Sequence, residues 1–488
     1  MSAMLRLVSM GLLCMACVTA EPADLVADDR SRELAVDAVF AEMQRPDVPG
    51  AAVGIYRGGR LIYSRGYGIA DIDHKVPVTT QTVFNLASVS KQFTAFSVAL
   101  LAREGKLDLQ ADIRKYLPDI PDFGERITVA DLVHHRSGLR NYRVLGKLSG
   151  HDNDSVLRQQ HVLNLVRSQR ALSFPPGTRY EYSNTGYVLL AEIVKAVSGK
   201  SLGEFMRERI FAPLGMKDTR LRDDLKSIEA DFAVGYELTE NGSSWRRALY
   251  NRETSGPGNM LSTVGDLAKW AGHFMNPVLV DRAFIQQLSA PNTLRDGTSI
   301  NYGFGLQPMS VIGHRVVMHG GGVSGYRSIF MMFPDDDFAI VLLANHLIQV
   351  SAKAEQLARI YLEPRPNQKV PPPDMLGRHV TACDRDAQRS NPAAPSKPSS
   401  QVLAAMAGTY RSEEIDTTYT LSSESGRLTL HSLYLTEPQL LTPTVPDRFK
   451  AQSGPLQGLC VTVERDAVGR ATALLFDVED LVLRLPRN

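Results

Sequence analysis

A serine and a lysine three residues apart, Ser88 and Lys91, form the first pattern in this chain that could do covalent chemistry. An apolar run follows them, which predicts a helix that begins near the serine and places both side chains on one face. A serine there lies beside free backbone amides and the positive end of the helix dipole, where an oxyanion would be stabilised. The amine could share a proton with the serine. The alternative is that Ser88 only caps the helix and Lys91 is a solvated charge.

A second pattern, Tyr182-Ser183-Asn184, occurs once and precedes an apolar run over 187–197 that predicts a helix. A tyrosine is normally protonated at neutral pH, but beside a lysine cation its phenolate becomes accessible. It could then take the serine proton and return it to a leaving group. The Asn184 amide could donate to a substrate carbonyl and accept from Lys91. Taken alone, a half-buried loop tyrosine is the simpler interpretation.

A third pattern, His319-Gly320-Gly321-Gly322, follows a strand-like run over 315–319. Residues without side chains would let a ligand lie against the strand, with backbone amides exposed as donors. The alternative is a glycine-rich hairpin corner.

Two other patterns are expected to have no chemical role. His134-His135 is interpreted as the end of a helix. The segment Gly199-Lys200-Ser201-Leu202-Gly203 has the letters of a nucleophile elbow, but that elbow must follow a strand and this one follows a helix. Ser201 is therefore predicted to form a capping box with Glu204.

The elements that must position the three patterns lie at both ends of a large unit, residues 30–365. Two alternating runs over 51–56 and 61–67 flank Gly58-Gly59, which is a strong hairpin signal. Three more strand-like runs follow at 315–319, 326–333 and 338–344, and the stretch between the two ends is mostly helical. We therefore predict an α+β fold, with one antiparallel sheet built from both ends, flanking helices and a helical insert.

A Pro- and Ser-rich stretch over 366–400 is predicted to be a linker. Beyond it, short alternating segments over 401–488 favour a small antiparallel β-barrel-like domain. The 488 residues carry 54 Lys plus Arg against 53 Asp plus Glu, with no long basic run, so nucleic acid is not an expected partner. No metal spacing, cofactor motif or transmembrane-length apolar stretch is found.

Residues 1–20 are typical of a signal peptide, with Arg6 before a short apolar stretch and cleavage near Ala20. A periplasmic or secreted protein is expected, and a lipoprotein attached through Cys17 is the less favoured alternative. Cleavage would leave only Cys383 and Cys460, which could form a disulfide or remain free thiols.

Together the three patterns resemble the serine β-lactamase and penicillin-binding-protein superfamily, within it the class C β-lactamase, D-aminopeptidase and esterase branch. The similarity runs over about 48–344 and includes the stretches 48–53, 82–91 and 127–132. By this resemblance Ser88 is the nucleophile, Lys91 and Tyr182 handle its proton, and Asn184 orients the substrate.

The resemblance also implies that His319 and Gly321 shape the far wall of the site, while the amides of Ser88 and Gly322 form an oxyanion hole. Class C β-lactamases typically have Lys-Thr-Gly where this chain has His319-Gly320-Gly321, and that lysine and threonine help to bind a substrate carboxylate. Histidine is mostly neutral at pH 7 and glycine has no hydroxyl, so efficient cephalosporin hydrolysis is not expected.

The expected activity is that of an exported serine hydrolase that cleaves amide or ester bonds through an acyl-enzyme. Its expected substrates are small molecules or peptides, such as D-amino-acid peptides, amides, short esters or peptidoglycan-derived fragments. One alternative is a β-lactamase. Another is a non-catalytic penicillin-binding-like protein that binds peptidoglycan or a protein partner.

Overall fold

The two strand-rich ends of the large unit form one antiparallel sheet, as the sequence predicts. A computed structural model describes residues 23–151, 155–366, 381–388, 398–435, 437–479 and 481–488. Within these residues the sheet has six strands, which occur in the order Gln307–Val311, His314–Val323, Tyr326–Phe333, Phe338–Ala344, Ala51–Arg57 and Arg60–Tyr67. The first strand of the unit pairs with its last, with Ala51 opposite Ala344. The predicted signal peptide and Cys17 lie outside the described residues.

The central strands are buried on both faces because helices cover the sheet on each side. In Phe338–Ala344 every residue is buried. Ile340 and Leu342 belong to the apolar cluster under the N- and C-terminal helices, Ala23–Val39 and Val350–Tyr361. Val341 and Leu343 belong to the larger cluster under the helical insert. A continuous apolar run, rather than an alternating one, is what such a two-sided environment requires.

The helical insert between the two ends of the sheet carries two of the three sequence patterns. Its helices are Lys91–Arg103, Val129–Val133, Tyr142–Leu148, Gln159–Ser168, Asn184–Ser198, Leu202–Met206, Ala212–Leu214, Val264–Met275 and Arg282–Leu288. The insert also contains short strands, including Phe84–Asn85, which pairs with Met260–Ser262. Ser201 and Glu204 form the predicted capping box, with both reciprocal hydrogen bonds present. That pair therefore begins a helix.

The C-terminal region forms a nearly closed, antiparallel, barrel-like sheet, which confirms the predicted fold class. Among the described residues its eight strands are Gly408–Ser412, Thr417–Glu424, Arg427–Ser432, Gln439–Val445, Arg448–Ala451, Cys460–Arg465, Ala471–Val478 and Leu481–Pro486. Helix Ser400–Met406 precedes them, and a bridge between Tyr410 and Arg487 connects the first strand with the end of the chain.

The predicted linker contains a helix among its described residues. Residues Ala382–Gln388 form a helix against the barrel, where Asp386 pairs with Arg448 at 2.6 Å and Asp384 pairs with Lys450 at 2.5 Å. Cys383 and Cys460 are joined as a disulfide, the first of the two alternatives that the sequence left open. The charged composition that suggested a linker therefore also supplies ion pairs to the barrel.

The barrel packs directly on the helical insert. Val144, Leu145 and Leu148, all on helix Tyr142–Leu148, belong to the same buried cluster as the barrel core. The hydroxyl of Tyr419 donates to the carbonyl of Leu148 at 2.5 Å. Arg140 forms a buried ion pair with Glu414. Helix Tyr142–Leu148 is therefore shared by both parts of the molecule.

Over the described ranges, no helix has the length and apolar character needed to cross a bilayer. The same residues contain no group of three or more His, Cys, Asp or Glu side chains arranged to hold a metal ion.

Candidate active site

Ser88 lies in a 3-10 turn, Ala87–Ser90, that continues into helix Lys91–Arg103. The residue before it, Ala87, has a positive φ of 47°, in a region that residues with a side chain rarely adopt. The side chain of Asn85 accepts the Ala87 amide at 2.8 Å and fixes this bend. Strain of this kind is concentrated at functional sites, where surrounding contacts hold it in place.

Lys91 is fully buried, with an exposed fraction of 0%. Its Nζ lies 3.2 Å from Ser88 Oγ, 2.9 Å from Asn184 Oδ1 and 2.8 Å from the carbonyl of Pro257. All three neighbours are uncharged. Burial, together with the positive charge of Arg143, holds the pKa of Lys91 well below its ordinary value of 10.5. The interpretation of Lys91 as a solvated surface charge is therefore wrong.

These contacts suit a neutral amine. A neutral amine has two N–H groups and one lone pair, and two of its three neighbours are carbonyl oxygens that can only accept. In the ammonium form all three N–H groups can donate, the third to Ser88 Oγ, whereas in the neutral form the two N–H groups can serve Asn184 and Pro257 and leave the lone pair for the hydroxyl of Ser88. The arrangement places a proton acceptor beside the proposed nucleophile.

Tyr182 lies in the loop just before helix Asn184–Ser198, with its ring 4.8 Å from Lys91 Nζ. Its hydroxyl is buried and makes no hydrogen bond to a described residue. Burial raises the pKa of Tyr182, and the nearby Ser88 hydroxyl opposes this rise only in part. The phenolate expected beside a lysine cation is therefore not favoured. Burial disfavours both charges, so it favours a neutral amine and a protonated phenol.

His135, to which the sequence assigned no role, holds the Tyr182 loop. Its Nδ1 accepts the Ser183 amide at 3.1 Å, and its carbonyl accepts the Glu181 amide at 2.8 Å. Its ring stacks on the Tyr182 ring at a centroid distance of 4.3 Å. Burial, reinforced by Lys91, holds the pKa of His135 well below 6.5, so the ring is neutral. A histidine just past a short helix gives no periodic signal, and the sequence therefore could not show this function.

His319 faces the site from the sheet but carries no charge. Its Nε2 lies 3.1 Å from the hydroxyl of Tyr302, and its Nδ1 lies 2.6 Å from the carbonyl of Gly320. Burial and the neighbouring Lys91 lower the pKa of His319 to about 3. The imidazole is thus neutral across the physiological range.

Gly320 and Gly321, which follow His319, differ in whether the surrounding structure leaves room for a side chain. A Cβ on Gly321 would lie 2.4 Å from the carbonyl of Leu86 and 2.2 Å from Ser328 Oγ, so the strand can approach the nucleophile segment only without a side chain. A Cβ on Gly320 would meet nothing closer than 4.0 Å. Strand His314–Val323, which contains these glycines, pairs with strand Gln307–Val311 only as far as Met318. Beyond Met318, the backbone around Gly322 is therefore not covered by strand Gln307–Val311.

The sequence profile of the beta-lactamase family matches residues 36–363. The chain belongs to the beta-lactamase family. This match confirms the predicted superfamily and spans all three patterns. A D-aminopeptidase from Gluconobacter oxydans (strain 621H) is 30% identical over 322 residues, which cover 66% of this chain and 60% of the relative. The chain thus spans about 60% of the length of the curated relatives that head this comparison.

Solved structures share the fold of this beta-lactamase-family chain. The octameric penicillin-binding protein homologue from Pyrococcus abyssi is 23% identical, with 94% of this chain and 99% of that chain aligned at a TM-score of 0.61. The D-amino acid amidase from Ochrobactrum anthropi SV3, solved with L-phenylalanine amide, is 24% identical. That alignment covers 68% of this chain and 98% of the amidase at a TM-score of 0.57.

A cleft of about 610 Å³ opens beside Tyr182 and Asn184, and the barrel forms part of its wall. The barrel supplies Tyr434, Leu435, Pro455 and Glu479 to the lining. A Cβ on Gly150 would lie 2.1 Å from the Cβ of Tyr434, so the barrel loop approaches this closely only because residue 150 is glycine. How the C-terminal region approaches the site was not predictable from the sequence.

Proposed function

We propose that this member of the beta-lactamase family is a serine hydrolase that cleaves amides or peptides of D-amino acids through an acyl-enzyme on Ser88. The single observation that carries the proposal is the contact of Lys91 Nζ with Ser88 Oγ at 3.2 Å, in a fully buried setting with uncharged partners. A structural lysine would need a carboxylate or water at this depth. A catalytic base needs a free lone pair directed at the nucleophile.

In the acylation step, Ser88 Oγ attacks the substrate carbonyl carbon while its proton passes to the Lys91 amine. A C–O bond forms, and the carbonyl electron pair moves to oxygen to give a tetrahedral oxyanion. Tyr182 then donates its hydroxyl proton to the leaving nitrogen as the C–N bond breaks, and the Lys91 ammonium returns a proton to Tyr182. In deacylation, water takes the place of the leaving group, and the product acid departs as Ser88 recovers its proton.

The oxyanion is proposed to accept hydrogen bonds from the amides of Ser88 and Gly322. Ser88 lies in the turn before a helix, and Gly322 lies on the strand edge across from it. Two preorganised donors of this type contribute several kcal/mol to acyl transfer, with about 3 kcal/mol lost when one is removed. Asn184 is proposed to orient the substrate as well as to bind Lys91.

The substrate class rests on the relatives and on the wall near His319. The relatives include a D-aminopeptidase and a D-amino acid amidase. His319 is neutral and Gly320 leaves open space, so this wall offers neither the cation nor the hydroxyl of Lys-Thr-Gly. These features favour a peptide or amide substrate over a β-lactam. Short esters are proposed as additional substrates, because ester acylation needs the same nucleophile.

Export to the periplasm or medium is part of the proposal. The signal-like residues 1–20 support it, and so does the disulfide between Cys383 and Cys460, since disulfides persist mainly in oxidising compartments.

The deciding experiment is intact-protein mass spectrometry of the mature chain after brief exposure to a D-alanyl amide, an activated short-chain ester or a penicillin. We expect a covalent adduct with the ester and consumption of the D-alanyl amide. Ser88→Ala should remove both. Ser90→Ala, two residues away, is the matched control and should retain the adduct.

An adduct that persists in Ser88→Ala would contradict the assignment of the nucleophile. A folded protein that forms no adduct and consumes none of the three compounds would favour a binding protein without turnover.

A further inference from the structure

The carbonyl of Pro257 that contacts Lys91 belongs to a loop, residues 254–259, which we call the carbonyl loop. It connects strand Arg252–Glu253 with strand Met260–Ser262. The Pro257 carbonyl lies 2.8 Å from Lys91 Nζ. A loop lacks the repeating backbone hydrogen bonds of a helix or sheet, so individual contacts must hold this carbonyl in place.

Thr94 holds the carbonyl loop from the helix that carries Lys91. It lies three residues after Lys91 on helix Lys91–Arg103, so the two side chains share one face of that helix. Thr94 Oγ1 donates to the carbonyl of Gly256, the residue before Pro257, at 2.7 Å. The side chain is 1% exposed, so this hydrogen bond is shielded from water. One helix therefore fixes both partners of the contact between Lys91 and Pro257.

Two further features make the carbonyl loop rigid, so that a hydrogen bond at one residue fixes its neighbours as well. Asn259 Nδ2 donates to the carbonyl of Thr254 at 3.0 Å and ties the two ends of the loop together. Gly256 has a φ of 107°, and a Cβ there would lie 2.0 Å from the carbonyl oxygen of Tyr187. The loop therefore packs directly on helix Asn184–Ser198, which carries the other acceptor of the lysine amine.

The contact between Lys91 and Pro257 matters most when the amine becomes charged. In the proposed acylation step, Lys91 accepts the Ser88 proton and becomes an ammonium. A hydrogen bond from an ammonium to a carbonyl is about twice as strong as one from a neutral amine. A correctly placed Pro257 carbonyl therefore stabilises the transition state more than the resting enzyme, which is the condition for a faster reaction.

We propose that Thr94 is a positioning residue for the acylation of Ser88, because its hydroxyl holds the Pro257 carbonyl on Lys91. The inference rests on the proposed function, since it assigns a further residue to the same reaction. Without this hydroxyl, the buried carbonyl of Gly256 loses a donor. The loop then relaxes to find another partner, and the Pro257 carbonyl moves away from the amine.

The test compares two substitutions of Thr94. Thr94→Val keeps the branched shape and removes the hydroxyl, whereas Thr94→Ser keeps the hydroxyl. Acylation is measured as single-turnover release of nitrophenolate from an activated D-alanyl ester. We expect Thr94→Val to slow acylation about tenfold with little change in KM, because a contact that strengthens in the transition state is lost. Thr94→Ser should acylate within about twofold of the parent rate, because the donor is retained.

The pH dependence of the same rate gives a second readout. A carbonyl acceptor stabilises the ammonium form of Lys91, so its displacement should lower the pKa of that amine. The rising limb of the acylation rate should therefore move to lower pH in Thr94→Val and stay in place in Thr94→Ser. A purely structural role for Thr94 would leave this limb unchanged in both variants, and that result would overturn the inference.

Ser97→Ala is the matched control. Ser97 is a buried residue one turn further along the same helix, and its hydroxyl donates within the helix to the carbonyl of Phe93 at 2.8 Å. Its loss should lower the stability, measured by denaturant titration, and leave the acylation rate unchanged. Acylation by Thr94→Val at the parent rate would overturn the inference, and so would an equal slowing in Ser97→Ala.

A crystal structure of Thr94→Val tests the same contact without turnover. We expect the distance from Lys91 Nζ to the Pro257 carbonyl to exceed about 3.5 Å, beyond the range of a hydrogen bond. An unchanged distance would overturn the inference and leave the assignment of Ser88 intact. If the parent forms no acyl-enzyme, the proposed function itself fails, and the role of Thr94 fails with it.

Discussion

The protonation state of Lys91 can be tested by placing a charge beside it. Asn184 Oδ1 lies 2.9 Å from Lys91 Nζ, and Asn184→Asp would put a carboxylate at nearly the same point. At this distance, with an effective dielectric constant of about 20, the attraction is about 6 kcal/mol. Since one pKa unit corresponds to about 1.4 kcal/mol, the pKa of Lys91 should rise by about four units.

The sign of the effect on activity follows from the role of the amine. Lys91 must be neutral to accept the Ser88 proton, so kcat/KM rises as pH rises through its pKa. Burial holds that pKa well below 10.5, which places the rising limb of the native enzyme at lower pH than an ordinary lysine would. In Asn184→Asp the ammonium form is stabilised, and the limb should move to higher pH. Activity at pH 7 should fall by a factor of about 100 or more.

The assay is the pH dependence of kcat/KM for an activated D-alanyl ester. Asn184→Ala is the matched control, because it also loses the amide but adds no charge. Circular dichroism would establish that both variants are folded. If the two variants share the same rising limb, Lys91 is not the group that titrates, and the proposed route for the proton would be refuted.

Three further outcomes are expected. Tyr182→Phe should lower kcat for an amide by a factor of about 100 or more, and should lower it much less for an ester with a nitrophenolate leaving group, which needs no proton. Equal losses of kcat for both substrates, measured by steady-state kinetics, would argue against Tyr182 as the proton donor. Gly321→Ala should reduce the free energy of unfolding by about 1–3 kcal/mol, because its Cβ would lie 2.4 Å from the Leu86 carbonyl, whereas Gly320→Ala should leave it nearly unchanged. Denaturant titration measures both variants, and equal free energies of unfolding would contradict the packing described. Replacing Cys383 and Cys460 with serine should lower the free energy of unfolding by about 2–4 kcal/mol, since the disulfide closes a loop with a sequence separation of 77. A melting temperature of the native protein that reductant does not change would show that the disulfide adds no stability.

Much of the fold could be predicted from the sequence, because its strands are marked by local signals. The Gly58-Gly59 pair fixed the first hairpin, and the strands Tyr326–Phe333 and Phe338–Ala344 agree with the predicted runs. Strand Gln439–Val445 contains Pro443, which interrupts the alternating pattern that marks a strand in the sequence. The helix Ala382–Gln388 was missed because its charged residues are stabilised by partners on the barrel that are distant in sequence.

The candidate site was predictable in its residue types and less so in its electrostatics. Ser88, Lys91, Tyr182 and Asn184 come together as the first two patterns suggested, because the two helix starts that carry them meet. The protonation state of Tyr182 was not predictable, since it depends on burial rather than on spacing. The role of His135 was not predictable for a related reason, because it depends on a loop that returns to it 48 positions later.

Helix Tyr142–Leu148 also has a consequence for how the molecule unfolds and evolves. One end of it carries Arg143 into the cleft, while Val144, Leu145 and Leu148 complete the barrel core. Heating should therefore melt the barrel and the cleft wall in a single cooperative transition. Deleting the barrel would expose those three side chains to water and deprive the cleft of Tyr434. Descendants of this chain could not exchange the barrel for an unrelated domain without rebuilding the wall that meets the substrate.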